Sequence, residues 1–323
     1  MTGPGGNIQA GCHGALDGVP GWKKGVTFMK IQFLNGGLAN QAFQYIFARY
    51  YELAYPGESM YMDDTYFALN TVHNGYELER VFGIKPHMLS QCFDDEVWNF
   101  ILEERRKGKS VPAILCENGI ETYMISEVGN SYRNFNPFEG EVRSIRCNEY
   151  HPEILTAEGN VYYHGYWINR QWFGQYEDEF LREFAFPPIP DKINRERLRA
   201  IEGSRSVSIH IRRGDYVNIG WALGTEDYKL LVECFMENRG SGWDLFVFSD
   251  DVAWCRQNQE AMGFLKFKSV HFIDGNDKGA NYIDMQLMSR CKAMILSNSA
   301  FCYLAALLNT RKEFVINPTK REV

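Results

Sequence analysis

The last third of the chain most constrains the fold. Five short apolar runs follow one another: SVSIHIR (206–212), LFVFSD (245–250), VHFID (270–274), AMILSN (293–298) and EFVINP (313–318). Stretches with helical spacing near 227–237, 282–291 and 300–309 separate several of them. Buried strands alternating with helices predict a parallel, doubly wound sheet, because parallel strands need crossover connections that lay helices on both faces. The start of the chain has the same pattern. MKIQFL (29–34) predicts a strand, NGGLANQ (35–41) a glycine-bearing turn, and AFQYIFARYYELAY (42–55), with Phe43, Ile46, Phe47 and Tyr50 at helical spacing, a helix.

The expectation is therefore an α/β chain of two such halves. They meet near residues 175–200, where prolines and charges accumulate, giving an N-terminal domain over 29–190 and a C-terminal one over 191–323. Between them, CFDDEVWNFILEERRKG (92–108) predicts a helix, VPAILCE (111–117) a strand, and QYEDEFLREF (175–184) a helix stopped by Pro187 and Pro188. Residues 1–28 are glycine-rich and lack an apolar signal core. They are expected to be a disordered tail or a remnant, with Met29 a second possible start.

Composition narrows the function. A net charge of −7 argues against a nucleic-acid partner. No run approaches the ~18 apolar residues of a membrane span. Eight cysteines include no C-x-x-C pair and no zinc-ligand spacing with histidine, so reduced thiols and a cytoplasmic setting are expected. There is no D-x-D. Adjacent carboxylates such as Asp63/Asp64, Asp94/Asp95 and Asp250/Asp251 point apart in extended chain and make poor chelators, so no metal is expected. A glycine fingerprint for dinucleotides and a P-loop are also missing.

In open α/β sheets ligands sit beyond the carboxyl ends of the strands. Read there, HIRRGDY (210–216) places His210 and Arg212 on one strand face, followed by Arg213 and Asp215. A guanidinium offers paired donors that match phosphate oxygens. Ser297, Asn298 and Ser299 supply hydroxyls and free N–H groups where a helix opens, which also favours an anion. Arg212 with this turn would suit a diphosphate; the plainer alternative is an ion-pair knot of Arg212, Arg213 and Asp215 that caps the strand. Asp284 opens a helix with a core stripe of Ile283, Leu287 and Cys291. It is either a helix-dipole partner or a carboxylate that pairs with two N–H donors of a base such as guanine.

HIRRGDY (210–216), NGGLANQ (35–41), GYWINRQWF (165–173) and DMQLMSRCKAMILSNSAF (284–301) together resemble the α-1,2-fucosyltransferases of glycosyltransferase family 11 over about residues 29–317. The resemblance implies a GT-B architecture of two facing Rossmann-like domains, with the nucleotide held by the C-terminal one. It implies transfer of L-fucose from GDP-β-L-fucose to O2 of a galactose, with inversion and without a metal. The acceptor would be a galactose-terminated glycan or lipid-linked oligosaccharide, which leaves peripheral contact with the inner face of the membrane open. Arg212 would hold the β-phosphate, with Arg213 beside it. His210, Asp284, Ser297, Asn298 and Ser299 would lie around the nucleotide, and Asn40 would approach from the N-terminal domain. Inversion needs a base, and Asp215, Glu226 and Asp227 are the candidates.

Two departures from the family pattern bear on this. Ala39 stands where the family loop has glycine, which strains the loop if that position needs a positive φ. Ala300, Tyr303 and Leu304 replace a hydroxyl and two tryptophans, with expected effects on a phosphate contact or on acceptor packing. Tyr163, Tyr166, Trp167 and Trp172 are either sugar platforms or core. The alternatives are a non-catalytic or altered-specificity GDP-sugar or glycan-binding protein of the same fold, and a nucleotide oxidoreductase disfavoured by the missing glycine fingerprint.

Overall fold

The computed structural model describes residues 28–71, 74–128 and 142–319. The expectation for residues 1–28 lies outside these apart from Phe28. Among the described residues ten strands form two sheets. β1 (Lys30–Phe33), β2 (Met60–Asp63), β3 (Thr122–Val128), β4 (Val142–Arg146) and β5 (Asn160–His164) take the order β2-β1-β5-β3-β4. β6 (Ser206–Ile211), β7 (Asp244–Ser249), β8 (Ser269–Ile273), β9 (Ala293–Ile295) and β10 (Phe314–Ile316) take the order β10-β9-β6-β7-β8. Every pairing between these strands is parallel. The chain has the GT-B architecture, two α/β domains facing each other across a cleft.

The inner strands β1, β5, β6 and β7 are buried on both faces, which is why they are apolar runs rather than alternating ones, whereas the edge strand β4 is largely exposed. In the first sheet Ile31, Phe33, Met124 and Tyr162 pack on Ile101, Val111, Ile114 and Leu115. Its opposite face, with Ile125, Val161 and Tyr163, meets Phe43, Ile46 and Phe47 of the helix Leu38–Ala54. In the second sheet Val207, Ile209, Leu245 and Val247 meet Tyr228, Val232 and Phe235 of the helix Thr225–Arg239.

The other side of that second sheet joins the core of the first domain. Phe246, Phe248, Met294 and Leu296 belong to one apolar cluster with the helix Ala300–Leu307 and with Leu38–Ala54. Those two helices, one from each domain, touch through Phe43 and Tyr303, stacked at 5.7 Å and 24°. Both open at their N-termini toward the same side.

Two expectations change. VPAILCE is a helix, Val111–Glu117, not a strand. The Ser110 hydroxyl caps it by accepting from Ala113 N, Pro112 sits in its first turn where no N–H is needed, and Val111, Ile114 and Leu115 bury one face. A short apolar run does not by itself separate strand from helix, and here the cap decides. The first helix also starts at Leu38, four residues before AFQY, so the turn is shorter than expected.

Candidate active site

β6 lies at the centre of the second sheet. The chain runs outward from it to β7 and β8, then returns to its other side for β9 and β10. The reversal falls between β6 and β9, and loops beyond their carboxyl ends diverge there to leave a crevice. A cleft of about 690 Å³ occupies this place. Its far wall is the start of the helix Leu38–Ala54, with Gly37, Ala39 and Asn40. Its near wall carries His210, Arg212, Asp215, Ser299 and Asp284.

His210 is buried at the end of β6, and its Nδ1 lies 2.8 Å from Ser297 Oγ at the end of β9. This contact ties the two diverging loops together at their root. Burial, and next the nearby Arg212 charge, push the imidazole down to about 3, so it is neutral at physiological pH. Two residues on, Arg212 points into the cleft from the same strand face. Its Nη2 donates to Asp215 Oδ1 at 2.6 Å, its Nη1 lies 2.9 Å from Asp250 Oδ2, and its Cζ is 5.4 Å from the Tyr216 ring centroid. Gly214 makes this possible: a Cβ there would come within 2.7 Å of Asp250 Oδ2.

Two helix N-termini line the same cleft as the guanidinium. Gly37 precedes Leu38 with no side-chain cap, and Ser299 caps Ala300–Leu307 by accepting from Phe301 N at 3.3 Å. Unsatisfied N–H groups and helix dipoles make both ends attractive to an anion. Just before the first of these ends, Gly36 turns the chain at φ 78° under the Asn40 side chain, where a Cβ would lie 2.7 Å from Asn40 Nδ2.

Asp284 stands in the first turn of the helix Tyr282–Met288, on the cleft wall below the loop that follows β8. Asn276 of that loop donates to its Oδ1 at 2.6 Å, and Asn276 Oδ1 in turn accepts from Asn194 Nδ2 at 2.7 Å. Desolvation raises the Asp284 carboxyl to about 7 despite the Asn276 hydrogen bond. Beside it, the Asn281 Oδ1 is buried without a hydrogen-bond partner among the described residues. Asp284 and Asn281 both line this end of the cleft, and a carboxylate there can accept hydrogen bonds from a planar ring edge bearing two N–H donors.

Two of the remaining acidic groups of the cleft are paired locally. Asp274 pairs with Arg197 at 3.0 Å and with Arg256 at 3.3 Å, and Glu77 pairs with Arg80. Arg80 also reaches across the cleft to donate to Gly279 O at 2.6 Å. Among the described residues no group of three or more His, Cys, Asp or Glu is arranged to hold a metal ion.

The expected site residues separate into two sets. His210, Arg212, Asp215, Asp284, Ser299 and Asn40 line the cleft, and Ser297 lies just behind it on His210. Arg213 turns away: its guanidinium sits 4.0 Å over the Trp254 ring, and only its backbone N–H reaches Asp250, at 2.8 Å. Asn298 donates to Trp221 O at 2.8 Å and tethers the loop after Asp215. Glu226 and Asp227 stand in the first turn of Thr225–Arg239, outside the cleft lining. Glu226 lies 3.6 Å from Lys229, and Asp227 accepts from Gly224 N at 2.8 Å.

The departures resolve structurally. Ala39 lies in the first turn of a helix, and Gly36 takes the positive φ, so alanine carries no backbone strain. Tyr303 and Leu304 are buried between the domains, and only Ala300 borders the cleft. Tyr163, Trp167 and Trp172 are core, and Trp167 Nε1 donates to Gln32 at 2.7 Å. Sequence reasoning overlooked Asn276, Asn281 and the Asp250 grip on Arg212. In the sequence Asp250 stands out only as half of an adjacent carboxylate pair, and its contact with Arg212 emerges only in the fold.

The chain is similar to known glycosyltransferases. The model of glycosyl transferase family 11 matches residues 133–322. The chain is 31% identical to an alpha-1,2-colitosyltransferase of Escherichia coli over 281 residues, covering 85% of this chain and 86% of that one. It is 25% identical to the O-antigen biosynthesis glycosyltransferase WbnK of Escherichia coli, covering 89% and 93%. A shorter match, 28% identical over 45% of this chain and 44% of the other, is to the galactoside alpha-(1,2)-fucosyltransferase 2 of Bos taurus. Among solved structures, the NodZ alpha-1,6-fucosyltransferase soaked with GDP-fucose is similar at a TM-score of 0.47 and 15% identity, over 87% of this chain and 92% of that one.

Proposed function

The chain belongs to glycosyltransferase family 11, and we propose that it is an inverting α-1,2-fucosyltransferase that moves L-fucose from GDP-β-L-fucose to O2 of a galactose. The single observation that carries this reading is the convergence in one cleft of Arg212, two helix N-termini and the Asp284–Asn276 pair. On this reading the C-terminal domain, 191–323, holds the donor and the N-terminal domain, 29–190, offers the acceptor side.

The guanine edge presents N1–H and an amine to Asp284, a pair of donors that adenine and uracil lack. The diphosphate lies against Arg212 and the helix ends at Gly37 and Ser299. As the sugar C1–O bond breaks, negative charge gathers on the departing β-phosphate, and these preorganised donors stabilise it more than the ground state. The guanidinium and helix ends do this without a metal. The acceptor O2 attacks C1 from the opposite face, which inverts it, and its proton passes to a carboxylate. Of the three candidate bases, Asp215 alone lines the cleft, and we assign it that role. The acceptor is a galactose-terminated glycan or lipid-linked oligosaccharide, met in the cytoplasm at the inner membrane face. No helix among the described residues is long and apolar enough to cross a membrane.

A second donor has a specific observation in its favour: the relative at 31% identity is named for colitose rather than fucose. The deciding experiment offers the purified chain the GDP-activated forms of both sugars with a panel of galactosides. GDP release is measured and the product linkage read by NMR. A β1 to α1,2 conversion from the fucose donor supports the main reading; transfer from the colitose donor alone selects the second. Absence of transfer from either, with GDP still bound, returns the chain to a binding protein.

A further inference from the structure

The fork of Arg212 is already engaged. Asp215 holds Nη2 at 2.6 Å, Asp250 holds Nη1 at 2.9 Å, and the Tyr216 ring lies 5.4 Å from Cζ. Two carboxylates therefore stand where a diphosphate would place its oxygens, and together they outweigh the one guanidinium. A phosphate cannot simply add to this arrangement, because anions at contact distance in a shared cleft repel.

We propose that the donor takes Arg212 by exchange, and that this exchange delivers Asp215 to the acceptor. The inference rests on the donor reading above. The pair that must open is built to open. Arg212 and Asp215 are both partly exposed, at 34% and 59%, and such pairs are weak because water screens them. Asp250 differs: it also accepts from Arg213 N at 2.8 Å and is more covered, at 28%. It stays as the anchor that keeps the strand end in place while Asp215 swings away. Asp215 lies in the first turn of a short helix, Gly214–Asn218, and lines the cleft together with Tyr216 of the same helix. Released from the guanidinium, its carboxylate is free to accept the proton of an incoming hydroxyl. The O–H bond breaks to Asp215 as the new C1–O bond forms and the C1–O bond to the β-phosphate breaks, so GDP leaves with the electron pair. Before donor binding the same carboxylate is occupied by Arg212. The base thus becomes available only once the donor is in place, and binding is ordered with the donor first.

Calorimetric titration of GDP into the full chain tests this, comparing wild type with Asp215→Asn, Asp250→Asn and Arg212→Ala. Removing the competing carboxylate should tighten GDP about three- to tenfold in Asp215→Asn, with the gain shrinking as salt is raised, whereas Asp250→Asn, which loses the anchor, should show no comparable gain. Asp215→Asn should also lose at least about tenfold in turnover at saturating donor, the scale of general-base catalysis. Tighter product and slower turnover in one variant is a combination that a merely structural Asp215 would not give. Unchanged or weaker GDP binding in a folded Asp215→Asn, or wild-type turnover by it, overturns the proposal. Should Asp250→Asn melt early, the Asp215 arm decides alone. Wild-type GDP affinity in Arg212→Ala is the separate result that removes the donor reading beneath it.

Discussion

Phe43 and Tyr303 stack across the domain boundary at 5.7 Å, and this contact fixes the spacing between the two helix N-termini that open into the cleft. The rings are buried, so their separation is set by core packing rather than by ligand. Tyr303→Ala should cost about 3–5 kcal/mol in urea unfolding, the range for deleting a buried aromatic. It should also weaken GDP binding, since Gly37 and Ser299 lose their common mount. A stability loss without any change in GDP affinity would show that the donor uses one helix end only.

Asp284 makes a prediction with a sign. Its carboxyl is raised to about 7, and guanine needs the ionised form to accept two hydrogen bonds. Below pH 7 binding must first expel a proton, so GDP affinity should rise with pH up to about 7 and then level. The same raised value means that the ligand-free fold gains stability from this group below about pH 4 and loses it as pH rises toward 7. Asp284→Asn should fold normally, lose the preference for GDP over ADP and UDP, and flatten the part of the pH dependence that this residue contributes. Competitive inhibition by the three nucleotides, with melting temperature as control, measures both effects. Retained GDP preference in a folded variant would return Asp284 to a helix-dipole role.

His210 titrates in the opposite sense. Its folded value is depressed to about 3, so on acidification the unfolded chain takes up a proton near pH 6.5 that the native chain refuses. This contribution to stability is present above pH 6.5 and is lost as pH falls toward 3, by up to about 1.4 kcal/mol per pH unit. His210→Asn, which keeps a polar group facing Ser297, should lose that acid-side slope. Denaturant unfolding at pH 7.5 and 5.5 measures it, and parallel slopes in the two proteins would place a protonated histidine in the fold.

Much of this was legible from strand ends. β6 and β9 carry Arg212 and the Ser297–Ser299 turn because apolar strands announce themselves, and polar residues just beyond their carboxyl ends are within reach of the crevice. Arg213 shows the limit: adjacent residues in extended chain face apart, so only one arginine of the pair reaches the cleft while the other stacks on Trp254. VPAILCE misled because its apolar run fits either period, and the decisive features were the Ser110 cap and Pro112. The Asn276–Asp284 contact spans a loop and a helix, and only the fold shows that their side chains converge. Ala39 would be strained only if its position needed a positive φ; the helix starts at Leu38 and Gly36 takes the positive φ instead.

The account stands on a GDP group held by Arg212 without a metal, and GDP binding in excess EDTA tests it most directly. Arg212→Lys keeps the charge but gives up the paired donors of the fork, a change of roughly 1.5–3 kcal/mol for a charge-assisted bond. The wild-type chain should bind GDP as well with EDTA as without it, and Arg212→Lys, still folded, should bind at least about tenfold more weakly, as expected from that range. Binding that disappears on chelation and returns with manganese, or Lys and Ala variants at Arg212 that bind GDP like the wild type, would contradict it.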